Sequence, residues 1–145
     1  MNGPIEIRLT GLDQPGDVLA AGAQSPILSS VRPRPDQPGW DTAVWLDMGT
    51  LPVTAGFSQF YADMESWIWS HYTGSYATVR PEWSKAWGCT GSGPWTSAAL
   101  LGSTIPAAVS AGQESGDGWP AAISILTGYD PGAVFSNPFL DTLFG

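Results

Sequence analysis

Positive charge is scarce in this chain: five Lys and Arg stand against 13 Asp and Glu, for a formal net charge of -8. Phosphate and anionic lipid are held by clustered Lys and Arg, so neither nucleic acid nor an anionic membrane surface is an expected partner. Cysteine occurs once, as Cys89, which excludes an internal disulfide and leaves the redox compartment open. With one histidine, His71, there is no Cys/His cluster at zinc spacing. Neither GxGxxG nor a Walker-type GxxxxGK[ST] occurs. No apolar run approaches the roughly 20 residues of a membrane span. The opening MNGPIEIRLT lacks a basic stretch followed by an apolar core, so it does not read as a signal peptide. Charged residues of either sign make up 12% of the chain, about half the usual share. An exterior so poor in charge is expected to be covered in part by something else.

What is present is Gly, Pro and aromatic residues, with eight tryptophans among 145 residues. That length fits one domain, or a piece of one. Unusual residues concentrate in 75–90, SYATVRPEWSKAWGCT. Two of the five cations, Arg80 and Lys85, flank Glu82 there, beside Trp83, Trp87 and the lone cysteine.

Residues 5–10 alternate apolar and polar with period two and predict a half-buried strand. Ile5, Ile7 and Leu9 share one face, and Glu6, Arg8 and Thr10 the other. The strand begins with almost no lead-in, as in a chain missing what came before. Residues 11–37 form a long connection, extended at Val31-Arg32-Pro33-Arg34-Pro35 because each residue before a proline is pushed out of the helical region. Residues 42–48 predict a second strand, with Val44, Leu46 and Met48 on one face and Ala43, Trp45 and Asp47 on the other. Three- and four-residue steps from Phe57 to His71 predict a helix over about 54–72, stopped by Gly74. Residues 75–80 read as a third strand ended by Pro81. A short helix at 95–101 and an apolar segment at 105–110 follow in a weakly patterned region. A further helix is predicted from Pro120, in first position, to about 126 or 127, then a turn at Tyr129-Asp130-Pro131 and an extended tail. The order implies an α+β domain, an antiparallel sheet with helices packed on one side.

Several groups are candidates for chemistry. Glu6 and Arg8, about 6 to 7 Å apart along a strand, are either an ion pair on a solvated face or part of a site. Glu82 and Lys85 are either a surface pair or a site. His71 and Cys89 read as packing residues, as do Trp67 and Trp69.

The set Glu6-Ile7-Arg8, Val79-Arg80-Pro81-Glu82-Trp83-Ser84-Lys85, and Tyr129-Asp130-Pro131 leading to Phe135-Ser136-Asn137-Pro138 resembles the C-terminal half of flavin oxidases of the vanillyl-alcohol-oxidase type. Sugar-lactone and alditol oxidases carry a similar E-x-R pair and an RPHW-x-K motif. Glu82 replaces that histidine here, which makes the chain more similar to covalent-flavin cholesterol oxidases, whose substrate-binding domain ends in an RPEWSK and FxNPFLD pattern. The resemblance spans nearly the whole chain. It implies that residues 1–145 are a single partial domain, a fragment of a larger flavin oxidase substrate domain. The flavin-binding domain that carries the covalent FAD link would lie outside this chain and would be its partner.

The implied activity is oxidation of a 3-hydroxysteroid, or a similar bulky apolar alcohol, to a ketone. FAD would be the cofactor, O2 the acceptor and H2O2 the product, with 5-ene to 4-ene isomerisation in addition. Carried over by resemblance, Arg8 stabilises developing negative charge at flavin and substrate oxygen. Glu6 orients Arg8, and the pair could gate an oxygen path. Glu82 is the base, Lys85 lies near it, and Asn137 offers an amide to the flavin edge. Asp47 stands where an Asn is expected in the sterol branch, and an extra carboxylate there would perturb its neighbours. Trp45, Trp83, Trp87 and Trp95 are candidates to line an apolar cavity. The alternatives are a sugar-lactone or alditol oxidase cap domain, a Trp-rich ligand-binding module without redox chemistry, and an inactive fragment. The isolated chain is expected to be colourless and inactive. Secretion is compatible with the resemblance, and localisation stays open.

Overall fold

The computed structural model describes residues 3–51, 53–82, 91, 93 and 95–145. The two alternating segments form strands β1 (Ile5–Gly11) and β2 (Thr42–Met48), paired antiparallel. Glu6 faces Asp47, Arg8 faces Trp45 and Thr10 faces Ala43. Directly opposed residues in an antiparallel pair project to the same side. One face is therefore Glu6, Arg8, Thr10, Trp45 and Asp47, and the other is Ile5, Ile7, Leu9, Val44, Leu46 and Met48. Gly49 N donates to Pro4 O at 2.9 Å and extends the ladder. A Cβ on Gly3 would sit 2.1 Å from the Gly49 carbonyl oxygen, so only glycine permits this approach.

Among the described residues four α-helices follow: α1 (Phe57–His71), α2 (Ile105–Ser110), α3 (Trp119–Tyr129) and α4 (Pro138–Phe144). The α+β class expected from the alternation and the three-to-four-residue steps is the one observed. A π-helical turn, Leu100–Thr104, leads directly into α2. Leu101, Ile105 and Val109 lie four residues apart across this junction, so they fall on one side of the continuous helical stretch. With Trp119 and Leu143 they make the buried cluster, and Leu28, Ile123, Phe139 and Phe144 pack around it.

Three details depart from expectation. Residues 75–80 form no strand, because nothing among the described residues pairs with them; Arg80 instead anchors a loop. The tail is not extended: Asn137 caps α4, its Oδ1 accepting from Phe139 N and Leu140 N, both at 3.0 Å. Asparagine as N-cap followed by proline in the first turn is a standard helix start. Third, β1 is exposed along its whole length rather than half-buried. Its apolar face is open, with Ile7 64% and Leu9 71% exposed.

Helix α1 begins after Gly56 and stops before Gly74, both with positive φ. Its aromatic residues pack mainly on one another: the Trp67 and His71 rings stack at 4.2 Å, and Phe60 meets Tyr61 edge-on at 5.7 Å. Trp67 and Trp69 remain 50% and 37% exposed, so the core role expected for them is not met among the described residues. Among the described residues the tryptophan that is buried is Trp119. Tyr61 Oη donates to the Met48 carbonyl at 2.7 Å and ties α1 to the end of β2. None of the described helices is long and apolar enough to cross a membrane.

Candidate functional site

The polar face of the ribbon gathers the first group. Arg8 Nε lies 3.1 Å from Glu6 Oε1, and Arg8 Nη2 is hydrogen-bonded to Asp47 Oδ2. The two-residue strand period places Glu6 beside Arg8, and the antiparallel register places Asp47 opposite Glu6 and within reach of Arg8. The hydrogen bond to Asp47, and then the field of Glu6, hold the Arg8 guanidinium charged by raising its pKa further. All three side chains are more than half exposed. The cluster is one cation between two carboxylates. Trp45 Nε1 donates to Thr10 Oγ1 at 3.0 Å, which fixes the indole on this same face.

The second group is built by loops. Glu82 Oε2 accepts from Ser30 Oγ at 3.1 Å. Arg80, two residues before it, donates through Nη1 to the Arg32 carbonyl and, at 3.5 Å, to the Ser30 carbonyl. Arg32 is itself buried, 5% exposed, and its guanidinium binds the Asp117 carboxylate and the Asp117 carbonyl. Arg34 grips Asp36 with two bonds of 2.9 and 2.6 Å and lies over the Trp40 ring, 5.3 Å from its centroid. That guanidinium lowers the Asp36 pKa. Gly112 approaches this pair so closely that a Cβ would fall 2.0 Å from Asp36 Oδ1, and its φ of +69° also favours glycine. Burial lowers the Arg80 pKa, and the like charges of Arg34 and Arg32 lower it further. Its Nε and Nη2 are buried without a partner among the described residues.

The third group is the α4 start. Capping occupies Asn137 Oδ1, so the side chain has its Nδ2 donor left to offer a ligand. The preceding turn is closed by Asp130, whose carboxylate accepts from Val134 N and Phe135 N, both at 2.9 Å. The turn leaves Val134 and Phe135 projecting, 77% and 78% exposed.

The sequence-derived candidates thus fall into separate places. Glu6, Arg8, Asp47 and Trp45 come together on the ribbon. Glu82 sits in the loop bundle and Asn137 at α4, with no hydrogen bond or ion pair between either and the ribbon among the described residues. Lys85, Trp83, Trp87 and Cys89 lie outside the described residues. Trp95 is 47% exposed and meets Phe139 edge-on at 6.2 Å. His71, read as a packing residue, stacks on Trp67 at the surface. Sequence reasoning missed Ser30 and the role of Arg32. For Ser30 there was no local signal, since its partner is 52 positions away. For Arg32, its place in a proline-fixed run marked an extended backbone but not burial.

A family model described as "Cholesterol oxidase, substrate-binding" matches residues 1–145. Among solved structures, a "solvent-stable cholesterol oxidase" superposes with a TM-score of 0.89 at 51% identity. The crystal structure of cholesterol oxidase from B. sterolicum superposes with a TM-score of 0.90 at 40% identity. Both matches cover 100% of this chain and 27% of the solved chain, so the present chain spans about a quarter of the length of these relatives. A search of curated proteins gave no match.

Proposed function

The chain belongs to the cholesterol oxidase substrate-binding family, and from that premise we propose that it forms part of the substrate-binding domain of an FAD-dependent sterol oxidase. The reaction is oxidation of a 3-hydroxysteroid to the ketone, with O2 as acceptor and H2O2 as product. The flavin-binding domain is the partner that completes the enzyme, and the 145 residues alone are inactive. The observation that carries this reading is the family match over the whole chain.

Two donors of this chain are of the kind a flavin takes. Arg8 offers a guanidinium and Asn137 an amide N–H, and the carbonyl-bearing edge of a flavin, which gathers negative charge on reduction, accepts such donors. When bound, FAD supplies the two-electron acceptor for the hydride of the carbinol carbon and passes the electrons to O2. The tasks of this chain follow from its side chains. Glu82 accepts the hydroxyl proton as the C–H bond breaks. The same carboxylate can carry a proton along the ring system, converting a 5-en-3-one to the conjugated 4-en-3-one. Arg8 stabilises developing negative charge, and Glu6 and Asp47 hold its guanidinium in place. Asp47 acts here as a direct partner of Arg8, which a neutral Asn would be only without charge. In this reading the Glu6/Arg8 pair opens and closes an oxygen path, and Lys85 assists Glu82. Trp45, with Trp83 and Trp87, supplies apolar surface to the sterol.

The test is to express the gene product with all in-frame upstream sequence and mix it anaerobically with a 3-hydroxysteroid. Bleaching of a bound flavin, followed by H2O2 release on admitting air, is expected. A product that binds no flavin, or whose flavin is not reduced by any 3-hydroxysteroid, would overturn the proposal.

A further inference from the structure

We propose that Ser30 is a positioning residue for Glu82, fixing the carboxylate that takes the substrate proton. The inference rests on the reading of Glu82 as the base. It begins with the 3.1 Å bond from Ser30 Oγ to Glu82 Oε2, which joins two segments remote in sequence. A serine hydroxyl rotates freely and can follow a mobile carboxylate, so the bond orients Glu82 only if the Ser30 backbone is itself held.

That backbone is held from both sides. Before it, Ser29 Oγ donates to Asp13 Oδ2 at 2.5 Å and accepts from Val31 N at 3.2 Å. After it, the Val31 carbonyl accepts from Asp13 N at 3.1 Å. Asp13 is in turn bonded through its own carbonyl to Ser25 Oγ at 2.8 Å. Arg32, next but one to Ser30, is buried and bound to Asp117. The Ser30 peptide is therefore clasped between Asp13 on one side and the Arg32–Asp117 pair on the other.

The Glu82 side of the contact is held by the same loop. Arg80 Nη1 reaches the carbonyls of Arg32 and Ser30, and Pro81 between Arg80 and Glu82 restricts the backbone there. Segments 30–32 and 80–82 are thus joined at two points: a guanidinium to backbone oxygens and a hydroxyl to a carboxylate. Arg80 makes the first at a cost, since it buries Nε and Nη2 without a partner among the described residues. Such a cost is expected where placement matters more than stability. A base has to be held within a fraction of an ångström of its proton donor, and a hydroxyl from a braced loop supplies that restraint without adding charge.

The experiment uses the full-length flavin enzyme and stopped-flow reduction by a 3-hydroxysteroid. Ser30→Ala is expected to slow flavin reduction at saturating sterol about tenfold, a part of the 10²- to 10⁴-fold effect of a general base. The dissociation constant for sterol should change less than about twofold, because proton acceptance and not binding is disturbed. Ser30→Thr, which keeps the hydroxyl, should restore the rate. Ser30→Ala combined with Glu82→Gln should be no slower than Glu82→Gln alone, since a residue acting through Glu82 has nothing left to position. Ser30→Ala at wild-type rate with Glu82→Gln slow would overturn the positioning role and leave the base intact. A full multiplicative effect in the double variant would also overturn it. Glu82→Gln at wild-type rate would overturn the base assignment instead.

Discussion

The β ribbon and the helical cluster solve opposite problems with the same composition. In the cluster, Leu101, Ile105, Val109, Trp119 and Leu143 are almost wholly buried, at 0 to 4% exposed, and the polar groups around them serve as caps and turns. On the ribbon every residue of β1 is exposed, and an ion-paired arginine stands on one face while isoleucines and leucines stand open on the other. A two-stranded ribbon is marginal in water by itself. Two of the arginine pairs repeat the contrast: Arg32 is 5% exposed against Asp117, whereas Arg8 is 57% exposed against Glu6 and Asp47. Stability is concentrated in the loops and helices, and the ribbon keeps its charged groups accessible. The difference teaches that charge pairs of the same chemistry divide into braces and candidate machinery according to whether water reaches them.

Substitutions should separate the two regions. The largest stability effect is expected in the cluster: Ile105→Ala or Leu143→Ala removes a fully buried side chain and should cost about 2 to 5 kcal/mol, read by denaturant unfolding. Asp117→Ala comes next. It leaves the buried Arg32 guanidinium without its carboxylate and should cost about 2 to 4 kcal/mol, reduced from the fully buried case because Asp117 is half exposed. Asn137→Ala removes the α4 cap and should cost about 1 kcal/mol, with faster amide exchange confined to the first turn of α4. At the small end, Arg8→Ala should leave the thermal midpoint unchanged, because an exposed pair contributes little. A large drop in that midpoint would erase the distinction between brace and machinery.

A pH effect of modest size belongs to α1. Burial raises the Glu65 pKa, so the folded state holds its proton more tightly than the unfolded chain does. Its stabilising contribution is then complete below the unfolded pKa and is lost as pH rises through the raised folded value. Glu65→Gln should therefore stabilise the protein at neutral pH, with the gain vanishing under acid conditions.

Legibility in the sequence followed how local each interaction is. Alternation with period two located both strands and put Asp47 on the indole side, and the register then joined it to Arg8. Alternation misled at 75–80, where Tyr76, Thr78 and Arg80 repeat the pattern without a partner strand. The cluster was hidden because Leu101, Ile105 and Val109 are separated by Gly, Ser, Thr, Pro and Ala, and a π-helical turn interrupts the regular helical period. The α4 start is present in Asn137-Pro138, but the residues around it lack the helical period and suggest an extended tail. The family was legible through its motifs. The contacts around Glu82 were not, because Ser30 and Arg80 meet across about 50 positions of chain and no periodicity encodes such a meeting.

The most direct measurement is stopped-flow flavin reduction in the full-length Arg8→Ala enzyme with cholesterol as substrate. If Arg8 stabilises charge that develops during hydride transfer, the reduction rate at saturating sterol should fall about 10²-fold or more, with the dissociation constant changed less than about threefold. Reduction at the wild-type rate would contradict the assignment of the ribbon's polar face to the chemistry.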